Sequence, residues 1–109
     1  MRIHFALLLF ASWYGPTGYP TAYGKEYDPQ ALVCAADDWP EGTILSISGP
    51  IKEGTKPTEI RVRVIDRLGP ASKENNRQLD LSPAAFRALA PLETGVILVR
   101  VEVEKEAGK

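Results

Sequence analysis

The 109-residue sequence holds a single cysteine, Cys34, and a single histidine, His4. One thiol forms no internal disulfide, and a Cys/His zinc site falls short of its ligands. A Ser–His–carboxylate triad would have to run through His4 alone. An excess of one charge is missing too. Thirteen Lys+Arg against 14 Asp+Glu give a formal charge of −1, without the clustered positive charge that nucleic acid demands. No apolar run approaches the roughly 20 residues of a membrane-spanning helix. No dinucleotide-binding glycine pattern occurs. What remains is ordinary for a globular chain: 44% hydrophobic and 25% charged residues, in a length that makes one domain with one core. The expectation is a single domain over residues 1–109, monomeric, with no nucleic-acid partner, no metal and no cofactor.

The first ten residues admit two readings. Phe5-Ala6-Leu7-Leu8-Leu9-Phe10-Ala11 is either a first β-strand or the remnant of an export signal, although a full signal needs about 15–30 residues and its own cleavage site. As a strand, the run through about Tyr14 is continuously apolar, which predicts cover on both faces with Phe5 and Phe10 in the core. His4 then has no chemistry. Three further stretches alternate with period 2 and predict half-buried strands. Residues 43–48 set Leu45 and Ile47 against Ser46 and Ser48. Residues 59–65 set Ile60, Val62 and Val64 against Glu59, Arg61 and Arg63. Residues 96–103 set Ile97, Val99, Val101 and Val103 against Leu98, Arg100 and Glu102.

One helix is expected at 82–89, with Ser82 as N-cap, Pro83 in the first position and Pro91 as the stop. Residues 52–57 and 69–78 read as polar turns, and 104–109 as a tail that frays. A faint internal echo relates Ala35-Ala36, Pro40-Glu41-Gly42 and Ile44-Leu45 to Ala84-Ala85, Pro91, Glu93, Gly95 and Ile97-Leu98, at offsets of 49 to 53 residues. A barrel of two related halves has this pattern. The fold class is therefore all-β, a small barrel.

Specific motifs sharpen this. Ala11-Ser12-Trp13-Tyr14-Gly15, Glu26-Tyr27-Asp28 and Ala35-Ala36-Asp37-Asp38-Trp39-Pro40-Glu41-Gly42-Thr43 resemble the opening half of the rare-lipoprotein-A (RlpA) family. Val62-Arg63-Val64-Ile65-Asp66-Arg67-Leu68-Gly69-Pro70 and Leu79-Asp80-Leu81-Ser82 resemble its second half. Leu79-Asp80-Leu81-Ser82-Pro83 with Phe86 is also similar to the first domain of bacterial expansins. The resemblance runs from about residue 11 to 103. It implies a six-stranded double-psi β-barrel with one short helix, a cell-envelope or secreted location, and peptidoglycan or a related polysaccharide as partner.

Within that resemblance Asp66 matches the family's catalytic aspartate. Its own position reads in two ways. In phase with Ile60, Val62 and Val64, and with no bulge intervening, its carboxyl faces the core side at a strand end, where partial desolvation favours a protonated acid that can donate to a glycosidic oxygen. Alternatively its oxygens cap backbone N–H groups at the turn. Arg67 stands beside it and can oppose the desolvation. Asp80 precedes the helix N-cap, where the positive end of the helix favours a carboxylate; it matches the aspartate thought functional in expansins, or it holds the fold through a hydrogen bond. Two residues depart from the RlpA pattern: Ala36 replaces a functional His, and Lys25 replaces a Glu that Glu26 follows one place later. Glu26 either substitutes for that Glu or is a solvent-facing charge, since one step along an extended segment turns a side chain over.

Trp13, Tyr14, Tyr19, Tyr23 and Tyr27 lie among Gly15, Pro16, Gly18, Pro20 and Gly24, a loop-like composition. Rings there either stack on sugar faces, with Trp13, Tyr14 and Tyr23 as the candidate contacts together with Arg67, or close one end of the barrel. Cys34 reads as a small core residue. Three functions follow: a lytic transglycosylase with Asp66 as acid and then base, aided by Asp80 and Glu26; a non-catalytic, expansin-like glycan-binding or wall-loosening domain; or a barrel used for protein interaction.

Overall fold

The computed structural model describes residues 6–15, 21–24, 26–69 and 78–107. Six strands alternate with little else: β1 (Leu7–Trp13), β2 (Val33–Ala35), β3 (Ile44–Gly49), β4 (Thr58–Asp66), β5 (Leu79–Leu81) and β6 (Ile97–Lys105), with helix α1 (Pro83–Leu89) and a 3-10 turn (Leu92–Thr94) before β6. They close into a barrel in the order β1-β5-β2-β4-β3-β6. The pairs β1/β5 and β2/β4 are parallel and the other four antiparallel.

Period-2 alternation fills the barrel. Leu45 and Ile47 of β3, Val62 and Val64 of β4, and Val99 and Val101 of β6 are at most 1% exposed, and each buried side chain of this size stabilises by about 1.5–3 kcal/mol. Leu9 and Ala11 of β1, Cys34 of β2 and Leu79 and Leu81 of β5 complete the interior, joined by Phe86 of α1. The helix starts where Ser82, in extended backbone, accepts the Ala85 N–H at 3.2 Å on its Oγ and donates to the Ala31 carbonyl at 2.6 Å. Such a cap contributes about 1 kcal/mol. Pro91 follows the helix end at Leu89.

The alternating strands stand where the sequence puts them, shifted by one or two residues. Three expectations are corrected. The N-terminal strand is not covered on both faces: Leu8 and Phe10 are 60% and 51% exposed, because β1 lies in the barrel wall with only Leu9 and Ala11 of that stretch turned inward. Phe10 is thus no core residue, and Phe5 lies outside the described residues, as does His4. Strands β2 and β5 were not located by patterning, although the resemblance implied six strands. The polar tail is strand as far as Lys105, since β6 runs on beside β3 through the pair Ile44↔Lys105. The turn expected at 69–78 is described only at its ends.

Two halves are related by their strand pairing. In each half the first strand pairs in the same way: β1 runs parallel to β5 and antiparallel to β6, as β4 runs parallel to β2 and antiparallel to β3. Core-facing pairs recur with it, Leu9↔Val99 in one ladder and Leu45↔Val62 in the other. The echo of Ile44-Leu45 in Ile97-Leu98 does not keep the facing, since Leu45 and Ile97 are buried while Ile44 and Leu98 are half-buried. The echo of Ala35-Ala36 in Ala84-Ala85 joins different elements, because Ala84 and Ala85 lie in α1.

Candidate functional site

The two carboxylates singled out by sequence flank one alanine. Ala35 of β2 pairs with Asp66 of β4 on one side and with Asp80 of β5 on the other. Asp66 and Asp80 therefore stand at one level, two interstrand spacings or roughly 10 Å apart at their Cα atoms. Leu79 and Leu81 point inward, so Asp80 faces the opposite way, together with its cross-strand neighbours Ser12 and Ala35. That stripe is nonetheless covered: Asp80 is 7% exposed.

Asp66 does not continue the inward phase of Val62 and Val64. The pairing passes from Cys34↔Val64 to Ala35↔Asp66, a bulge that absorbs Ile65 and re-aims the last residue of the strand. Asp66 is half-buried, and its carboxyl turns toward the segment 21–24 instead of the core. Its Oδ1 accepts the N–H of Ala22 at 2.7 Å and that of Arg67 at 2.8 Å. Its carbonyl accepts the Ala36 N–H at 3.0 Å. The capping bonds thus exist, and they orient the carboxyl while both fall on one oxygen. Arg67 acts on Asp66 through this backbone N–H, and the residue is exposed.

Asp80 is fixed differently. It lies within β5, and its Oδ1 accepts a short hydrogen bond from Ser12 Oγ across the β1/β5 ladder. This is a hydrogen bond of the kind that sequence offered as the alternative role, and it runs to a neighbouring strand.

Beside the carboxylates sits a pair of phenols. The rings of Tyr14 and Tyr27 stack with centroids 4.5 Å apart and planes 8° from parallel. Tyr27 Oη donates to the Tyr14 carbonyl at 2.5 Å. Burial pushes the Tyr14 phenol far above its usual range, with Tyr27, Asp66, Cys34 and Asp80 adding in the same direction. Burial does the same to Tyr27, reinforced by Asp80, Asp28 and Asp66. Both phenols therefore feel both carboxylates, and both stay protonated. Tyr14 Oη is buried and has no hydrogen-bond partner among the described residues, so the hydroxyl expected to meet a sugar is shielded from solvent. Tyr27, quoted in sequence within Glu26-Tyr27-Asp28 and the aromatic-rich stretch but not among the candidate contacts, stands beside Tyr14.

The other candidates are spread more widely. Glu26 is exposed. Trp13 is 38% exposed and its Nε1 donates to the Leu92 carbonyl at 2.9 Å, which ties the indole to the 3-10 turn. Tyr23 is half-buried in the turn closed by Gly24 N–H on the Thr21 carbonyl at 2.9 Å. Ala36, at the family's His position, is 0% exposed. Lys25 and Tyr19 lie outside the described residues. Among the described residues, no three His, Cys, Asp or Glu side chains are grouped to hold a metal ion.

Comparison with known proteins agrees with the fold. A family model described as lytic transglycolase matches residues 8–101. The endolytic peptidoglycan transglycosylase RlpA of Campylobacter jejuni is 38% identical over 95 residues, covering 85% of this chain and 32% of that protein. A probable endolytic peptidoglycan transglycosylase RlpA of Nostoc is 36% identical over 97 residues, covering 85% and 24%. The chain thus spans about a quarter to a third of the length of these relatives. Among solved structures, the Streptomyces papain inhibitor superposes with a TM-score of 0.66 at 24% identity, over 91% of this chain and 93% of that one. A mutant Clavibacter michiganensis expansin in complex with cellohexaose gives 0.65 at 22%, over 96% and 54%. A closed six-stranded barrel, a carboxylate at the exit of its fourth strand and a family match across nearly the whole described chain lead to one assignment: this chain belongs to the RlpA-like family of double-psi β-barrels.

Proposed function

We propose that this domain is a peptidoglycan lytic transglycosylase of the cell envelope with Asp66 as its acid and then its base. The carrying observation is the placement of Asp66: half-buried at a strand exit, oriented by two backbone N–H groups on Oδ1, with Asp80 level with it across Ala35. In the first step Asp66 gives its proton to the oxygen bridging two wall sugars, and that bond breaks as the leaving sugar gains the hydrogen. The resulting carboxylate takes the proton of a hydroxyl on the same sugar, whose oxygen closes onto the anomeric carbon. Asp66 ends protonated, ready for the next turn. Asp80, a buried carboxylate held by Ser12, supplies negative potential near the positive charge that the sugar ring develops.

Ala36 favours a second reading. A buried methyl stands where RlpA enzymes carry a proton-carrying side chain, and a groove that binds glycan without cleaving it, as expansin-like domains do, needs none. Digestion of purified peptidoglycan sacculi separates the two. The transglycosylase reading expects anhydro-sugar ends from the wild type and at least a hundredfold fewer from Asp66→Asn, with sacculus pull-down retained. Pull-down without anhydro ends from either protein refutes catalysis and leaves the binder.

A further inference from the structure

We infer that Tyr27 is a positioning residue of the carboxylate site, acting through Tyr14 to hold the exit of β1 beside Asp66 and Asp80. The two parallel ladders of the barrel end differently. At the exit of β4 the Asp66 carbonyl is satisfied by the main chain, through Ala36 N–H at 3.0 Å. At the exit of β1, Ser82, which follows the partner strand β5, has its N–H committed to the Val33 carbonyl at 2.9 Å. The Tyr14 carbonyl takes its bond from the Tyr27 hydroxyl. A side chain stands in for a backbone bond at the strand exit next to the two carboxylates.

The stack makes that bond directional. With rings nearly parallel at 4.5 Å, Tyr27 fixes the plane of Tyr14 as well as its carbonyl. The phenol so fixed keeps its hydroxyl buried, with no hydrogen-bond partner among the described residues. Ser12 of β1, two residues before Tyr14, donates to Asp80, and both phenols lie within electrostatic reach of Asp66 and Asp80, so a shift of the β1 exit reaches the carboxylates.

The inference rests on the transglycosylase reading only for its kinetic readout. Tyr27→Phe keeps the ring and the stack and removes the hydroxyl; Tyr27→Leu removes both. On sacculi, Tyr27→Phe is expected to lower kcat on the order of tenfold with KM and pull-down unchanged, as small displacements of reacting groups do, and Tyr27→Leu to lower it further. A second readout needs no turnover. The amide protons of Ala22 and Arg67, which both donate to Asp66 Oδ1, are expected to shift in the NMR spectrum of Tyr27→Phe. Unmoved amides with unchanged kcat, or a kcat loss that only tracks loss of folded protein, overturns the inference. If the wild type releases no anhydro ends, the transglycosylase reading falls and the amides alone decide: shifted they support the positioning role, unmoved they overturn it.

Discussion

Removing one oxygen from each member of the stacked pair should move stability in opposite directions. In Tyr14→Phe the deleted hydroxyl is the buried one with no partner among the described residues. An unsatisfied buried hydroxyl costs about 1–3 kcal/mol, and phenylalanine keeps the ring that stacks on Tyr27, so the variant should gain about 1 kcal/mol. In Tyr27→Phe the deleted hydroxyl makes the 2.5 Å bond to the Tyr14 carbonyl, and its loss leaves that carbonyl short of a donor. The cost is about 1–1.5 kcal/mol. For a domain of this size 1 kcal/mol moves Tm by roughly 4–8 °C, so the two variants should melt on the order of 10 °C apart, on either side of the wild type. Urea unfolding of all three proteins checks this, with the midpoint changing and the slope constant. A Tyr14→Phe protein less stable than wild type would mean that Oη is hydrogen-bonded after all, and the account of the pair would fail.

Other outcomes follow from the same packing. Burial raises the Tyr14 and Tyr27 phenols above their ordinary 10.0 and the Cys34 thiol above its ordinary 9.0. The folded chain then holds these protons where the unfolded chain releases them, so their contribution is intact below about pH 9 and declines as pH rises beyond it. The urea midpoint should fall between about pH 8 and pH 10.5; a constant midpoint contradicts this. A Cβ on Gly49 would meet Val99 Cγ1 at 2.7 Å, so Gly49→Ala should lose about 1–3 kcal/mol, read as a lower Tm; an unchanged Tm would show that Val99 moves aside freely.

How much could be read beforehand depended on whether a residue's fate was local. Strands β3, β4 and β6 alternate against solvent, and α1 carries its own start signal in Ser82-Pro83, so each was visible in a short window. The three-residue strands Val33–Ala35 and Leu79–Leu81 were not. Both are nearly or wholly buried, leaving no alternation to detect. Asp66 was placed correctly at a strand end but in the wrong phase, because the bulge is a property of the pairing with β2, and alternation within β4 contains no trace of it. Tyr27 meets a strand exit 13 residues away, a contact set by the course of the loop.

The strand order carries a consequence for how the chain reaches this form. Every ladder in the barrel joins one of β1, β2 and β3 to one of β4, β5 and β6. A chain emerging from the ribosome therefore has no sheet to form until its fourth strand appears, and Leu45, Ile47 and Cys34 wait without an interior to enter. Only β3 and β4 are both sequence neighbours and ladder partners, so this hairpin alone can zip without first closing a long loop. Assembly is expected to begin there and to finish in one concerted step, with the nascent first half relying on whatever shields sticky segments until its complement arrives.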